Sequence, residues 1–125
     1  MKRVLLQDNF QSSEYINSLK DLLNEDISNP EIDLDFSFCL DRTTHNLLGY
    51  NLIISHPHLE SDCCLPVIKK ALQNNIKVVL LYKSKRPHGE AIRAIAKSLN
   101  LDILYRNGGP REDYQRAIEK YLLEK

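Results

Sequence analysis

A chain of 125 residues and 14.5 kDa has the size of one ordinary domain, so a single unit spanning residues 1–125 is expected. Seventeen Lys and Arg residues balance seventeen Asp and Glu, which leaves no overall field to draw the protein onto nucleic acid or anionic lipid. At 42% hydrophobic and 27% charged the composition is globular rather than disordered, and the longest apolar run, residues 78–82, is far too short for a membrane span. Met1-Lys2-Arg3 is followed by only Val4-Leu5-Leu6, so neither a signal peptide nor a membrane anchor is expected. Cys39, Cys63 and Cys64 are odd in number, include an adjacent pair and lack C-x-x-C spacing. They read as free thiols of a cytoplasmic protein rather than a disulfide framework or a zinc site.

Short apolar runs alternate with segments of helical period along the whole chain. Arg3 to Leu6 predicts the first strand. A helix capped at Ser12-Ser13-Glu14 follows, with Tyr15, Ile16, Leu19, Leu22 and Leu23 on one face, ending near Asn24. Leu34 to Leu40 reads as the second strand, with Phe36, Phe38 and Leu40 on one side. Leu52-Ile53-Ile54-Ser55 has the continuous apolar run of a central parallel strand and is stopped by Pro57. Helical period returns from Cys64 to Gln73, closed by Asn74-Asn75. Val78 to Tyr82 is the strongest strand, followed by a polar loop and a helix with the stripe Ile92, Ile95, Ala96 and Leu99. Asp102 to Tyr105 is the fifth strand. Asn107-Gly108-Gly109-Pro110 then opens a last helix that turns Tyr114, Ala117, Ile118, Tyr121 and Leu122 toward the core.

Strands separated by crossover helices predict an α/β fold. The simplest arrangement is a three-layer α/β/α sandwich around a five-stranded parallel sheet of flavodoxin-like order 2-1-3-4-5. In such sheets ligands bind beyond the carboxyl ends of the strands, at the switch point between the first and third. The informative loops are therefore Gln7 to Ser13, Ser55 to Cys63 and Lys83 to Gly89.

Those loops carry the candidate chemistry. Lys83, Lys85 and Arg86 precede a helix beginning near His88-Gly89-Glu90; cations beside a helix N-terminus suit an anion such as a nucleotide phosphate, although a solvated edge needs the same residues. His56, His58, Glu60 and Asp62 alternate in a way that would suit a transition metal if the loop were extended, but a solvated polar loop is the preferred reading and no metal is assigned. Asp8 ends the first strand in the same crevice, where it suits a ribose hydroxyl, a metal, a neighbouring Lys or a turn. The chain holds no Gly-rich phosphate fingerprint, P-loop or nucleophile elbow.

With these residues placed, the sequence resembles a short, divergent Toll/interleukin receptor (TIR) domain. Arg3-Val4-Leu5-Leu6-Gln7-Asp8, followed by Ser13-Glu14-Tyr15-Ile16 and Leu19 to Leu23, is similar to the TIR opening strand and helix. Phe38 to Arg42 resembles the approach to the second TIR box, without its Pro-Gly. Leu52-Ile53-Ile54-Ser55 with Leu59 to Leu65 is similar to a TIR strand ending in Ser and the Ser-x-Trp-Cys helix start, with Cys63 in place of Trp. The resemblance implies NAD or another nucleotide as ligand, cleaved by a helix glutamate three residues after the Cys. That position here is Val67, which implies impaired glycosidic cleavage, with Glu60 the nearby carboxylate that would have to substitute from a displaced position.

Gly49 to Leu123 also resembles the nucleoside 2-deoxyribosyltransferase group, with Arg86 and Gly89-Glu90-Ala91-Ile92 similar to its phosphate-contacting turn and Val67 again at the catalytic glutamate. A degenerate phosphoreceiver domain shares the expected topology, but His56 stands at the phosphoacceptor Asp, Gln7-Asp8 matches only half of the acidic pair, and Arg106 stands near the required Lys. The expectation is a cytoplasmic nucleotide-binding or signalling module. Its ligand-binding residues are Asp8, His56, His58, Lys83, Lys85, Arg86 and Gly89. It would act on a nucleotide-like molecule or a protein partner, homotypic assembly included, without nucleic acid or membrane.

Overall fold

The computed structural model describes residues 2–7, 13–37, 49–55, 65–82, 88–106 and 109–123. Strands β1 (Lys2–Gln7), β2 (Ile32–Ser37), β3 (Leu52–Ser55), β4 (Lys77–Tyr82) and β5 (Asp102–Tyr105) form one parallel sheet in the order β2-β1-β3-β4-β5. Helices α1 (Ser13–Ile27), α2 (Leu65–Gln73), α3 (His88–Leu99) and α4 (Pro110–Ile118) complete the flavodoxin-like α/β architecture expected from the sequence, and a π-helical turn, Glu119–Leu123, extends α4. None of the helices, among the described residues, is long and apolar enough to cross a membrane.

Side chains alternate across a strand, so each central strand feeds two cores. Val4, Leu6, Leu52, Ile54, Val79 and Leu81 point to one face, where Leu19 and Leu23 of α1 and Tyr114, Ala117 and Ile118 of α4 cover them. Leu5, Ile53, Val78 and Leu80 point to the other, beneath Ile68 and Ala71 of α2 and Ile92 and Ala96 of α3. The continuous apolar runs of β3 and β4 follow from this double burial. Tyr121 and Leu122 of the π-helical turn pack against the α1/α4 core, as expected.

Most boundaries fall within one residue of expectation, and two differ by more, for identifiable reasons. Helix α1 runs to Ile27 instead of ending near Asn24, because Ile27 is the next apolar position after Leu23 and packs on the same core. Ser28 then stops it in the left-handed region, at φ 51°, with its amide donating to Asn24 O and its hydroxyl to Glu25 O. Strand β2 begins at Ile32 rather than Leu34, in register with Lys2 of β1. Ile32, Leu34 and Phe36 join the α1/α4 core, while Phe38 and Leu40 lie outside the described residues.

The opposite face of β2 is acidic and is neutralised locally. Asp35 accepts from Arg3 Nη2 at 2.9 Å and from the Tyr50 hydroxyl at 2.7 Å, and the Arg3 guanidinium lies 4.6 Å from the centre of the Tyr50 ring. Burial, and then the bond to Asp35, push the Tyr50 phenol well above its ordinary value. Helices α2 and α3 end on asparagines in the left-handed region, Asn75 (φ 61°) and Asn100 (φ 57°). The next amides return to Ala71 O and Ala96 O, which satisfies carbonyls that the helix ends leave open.

Candidate functional site

The strand order places the switch point between β1 and β3, and the structure puts a polar pair there. Gln7 and Ser55 are the last residues of these strands and are register partners. Both are fully buried, each following directly on a buried run of Val, Leu or Ile. The Ser55 hydroxyl donates to Gln7 Oε1. Burying a polar group without a partner costs about 1–3 kcal/mol, so two such groups at the end of an apolar strand pair are held by being bonded to each other.

Strand β4 runs beyond β3, since Ser55 pairs with Leu80, and ends two residues later on Tyr82, opposite Tyr105 of β5. The two rings meet edge to face with centroids 5.1 Å apart. From α3, Arg93 lays its guanidinium 5.0 Å from the centre of the Tyr82 ring and donates to the Tyr82 hydroxyl at 3.2 Å. Tyr82 is buried, whereas Tyr105 is 39% exposed.

Beyond β5, the Arg106 amide donates to Tyr82 O at 2.7 Å and prolongs the ladder. Its side chain, only 9% exposed, reaches the fully buried Asp113 of α4 at 3.2 Å. Asp113 also accepts from Arg116 at 3.3 Å, and Arg116 donates to Tyr105 O at 2.7 Å. This group ties α4 to the carboxyl end of β5. Arg106, the residue nearest the lysine required by a phosphoreceiver, is thus engaged with a buried carboxylate of its own.

Of the residues singled out in the sequence, Gly89 is the second residue of α3. Asp8, His56, His58, Glu60, Lys83, Lys85 and Arg86 lie outside the described residues. They follow directly or closely on Gln7, Ser55 and Tyr82, the ends of three neighbouring strands. Among the described residues no group of three or more His, Cys, Asp or Glu side chains could hold a metal ion. Polar ends to the runs Val-Leu-Leu and Leu-Ile-Ile were the signal for Gln7 and Ser55, which are strand residues and not the first residues of their loops. The Tyr82, Tyr105 and Arg93 grouping had no such signal, because it joins residues from three elements. A groove of about 310 Å³ also exists at the opposite, amino edge of the sheet, between Ile76, Lys77, Asn100 and Asp102, away from the switch point.

The arrangement sets a buried polar pair between β1 and β3 beside an exposed aromatic and cationic rim at β4 and β5. The rim suits a small ligand that carries a planar ring. No protein-family model matches the chain, and none of the curated proteins matches it.

Proposed function

We propose that this domain binds a nucleotide-like small molecule across the carboxyl edge of β1, β3 and β4 and acts as a TIR-like signalling module without cleaving the ligand. The observation that carries this reading is the Gln7–Ser55 pair, polar residues buried at the switch point just beneath the edge where open parallel sheets receive ligands. Gly89, in the first turn of α3, and the basic residues Lys83, Lys85 and Arg86 before it supply the anion-binding part of the reading. NAD fits as one member of the ligand class, with Asp8 the residue for a ribose hydroxyl and His56 and His58 in the neighbouring loop.

Binding without turnover rests on Val67, the third residue of α2, where the resemblance expects the catalytic glutamate. A hydrocarbon side chain can neither take a proton nor stabilise an oxocarbenium-like transition state. Glu60 is the residue that a retained activity would have to use. The buried engagement of Arg106 with Asp113 speaks against the phosphoreceiver alternative. A cytoplasmic setting accords with the three cysteines and their spacing.

Calorimetric titration of the full chain with NAD, adenosine 5′-monophosphate and cyclic nucleotides tests the binding half, and chromatography after prolonged incubation with NAD or deoxynucleosides tests the other. Saturable heat with no ribosyl product is expected. A flat titration with all of them overturns the reading, and release of nicotinamide or free base overturns the absence of turnover.

A further inference from the structure

We propose that Tyr105 and Arg93 form a ledge that receives the base of the bound nucleotide, Tyr105 by stacking and Arg93 by hydrogen bonding; this deepens the nucleotide-binding reading above and rests on it. Both side chains are anchored on the same buried ring, Tyr82 at the carboxyl end of β4, Tyr105 edge to face at 5.1 Å and Arg93 at 5.0 Å. Tyr82 thus fixes the position of two groups that themselves remain open to solvent.

Among the described residues Arg3 bonds Asp35, Arg106 and Arg116 bond Asp113, and Arg111 bonds Asp26. Among the described residues Arg93 has no carboxylate partner; its hydrogen bond goes to the Tyr82 hydroxyl through one Nη. A guanidinium carries five N–H donors, so most of those of Arg93 are left for an acceptor from outside the chain. Tyr105 is likewise open: among the described residues its hydroxyl has no hydrogen-bond partner and its aromatic partner is Tyr82, and it is 39% exposed.

An exposed tyrosine held by a buried one has a fixed position, so little side-chain freedom is lost when a planar ring lies on it. The ledge belongs to the same sheet edge as the Gln7–Ser55 pair, with β4 between them. It also adjoins α3, the helix whose N-terminus suits the phosphate in the reading above. A nucleotide presents both chemistries at once, a planar base with acceptor atoms on its edge and a phosphate about one sugar away.

Adenosine 5′-monophosphate and ribose 5-phosphate, titrated into the full chain and into Tyr105→Leu, Tyr105→Phe and Arg93→Met, separate the base from the phosphate. Stacking on an aromatic side chain is worth about 1–3 kcal/mol per base, so Tyr105→Leu should weaken adenosine 5′-monophosphate about tenfold, with Arg93→Met of similar size. Tyr105→Phe keeps the flat face and should bind within about twofold of the parent. Ribose 5-phosphate should bind all four proteins equally. Circular dichroism confirms that each variant is folded, and Arg93→Met, at an exposed position, carries the test should Tyr105→Leu fail to fold. Unchanged nucleotide affinity in the folded variants overturns the ledge and leaves the nucleotide reading standing, as does an equal loss for ribose 5-phosphate. Absence of adenosine 5′-monophosphate binding by the parent, with another nucleotide bound, also overturns the ledge for a purine. Absence of all nucleotide binding overturns the reading beneath it.

Discussion

Substituting Ser55 by Ala should change sign with the residue at position 7. In the parent protein the Ser55 hydroxyl bonds Gln7 Oε1, its one hydrogen-bond partner among the described residues, in a position with no solvent access. A net intramolecular hydrogen bond contributes about 0.5–1.5 kcal/mol, so Ser55→Ala should destabilise the parent by about 1 kcal/mol. With Leu at position 7 the same hydroxyl has lost its acceptor, and a buried unsatisfied donor costs about 1–3 kcal/mol. Ser55→Ala on that background removes the orphaned hydroxyl and should stabilise by about 1 kcal/mol, a coupling of about 2 kcal/mol between the two positions. Gln7 makes contacts beyond Ser55, so Gln7→Leu alone mixes several effects; the sign of Ser55→Ala is read within each background and is free of them. Urea unfolding gives the measurement: with a slope of about 1–3 kcal/mol per molar, each step moves the midpoint by about 0.5 M, downward in one background and upward in the other. A midpoint that falls by the same amount in both would refute the claim that the buried pair is held by its own mutual bond.

Two further outcomes concern pH. The two-pronged bond from Arg111, at 2.6 Å to each carboxylate oxygen, holds Asp26 below its ordinary 3.8, so the stabilisation is complete above that value and is lost as pH falls through the depressed one. Arg111→Met should therefore melt below the parent at neutral pH, with the gap closing on acidification; a gap that does not vary with pH would count against it. Tyr50 is displaced the other way, so its contribution is complete below its ordinary value of 10 and declines as pH rises and the unfolded chain ionises. Tyr50→Phe should lose about 1 kcal/mol near neutrality through the Asp35 bond and show a flatter decline above pH 10, which thermal melts across the alkaline range would reveal.

The fold was legible because its main signal is local. Continuous apolar runs in β3 and β4 mark strands buried on both faces, and the stripes of α1 and α3 recur at helical spacing, so class, element order and strand order could all be read from spacing. Where the reading was inexact, the cause is tertiary. Asp33 and Asp35 weaken the strand pattern at the start of β2, and what lets them stand in a strand is Arg3 and Tyr50, brought there by the sheet. Ile27 extends α1 because a core formed partly by α4 covers it, and Arg111 reaches Asp26 across 85 positions of sequence. The candidate site was legible only in outline. Parallel order fixes which strand ends are neighbours, and hence that the chain leaves Gln7, Ser55 and Tyr82 side by side. Which side chains then meet, as Tyr82 meets both Tyr105 and Arg93, depends on distances that no spacing rule contains.

The neutral charge balance acquires a physical meaning from the same contacts. Part of it lies at the two edges of the sheet, where an open strand would otherwise invite pairing with another chain. At β2, Asp35 meets Arg3; at β5, Asp102 meets Lys77, and Arg116 takes up the carbonyl of Tyr105. A third set, Arg111 with Asp26, joins the two helices of one face. Charges committed in this way cancel within a few ångströms and add little field at a distance, so a count of zero says nothing about the charges that remain uncommitted. Arg93 is such a charge, and it lies at the carboxyl edge, on the same side of the sheet as the chain leading to Lys83, Lys85 and Arg86. Its role in the proposed ledge is to bond the edge of a base at short range, so a single substitution at Arg93 should weaken nucleotide binding without altering the pairs that hold the fold.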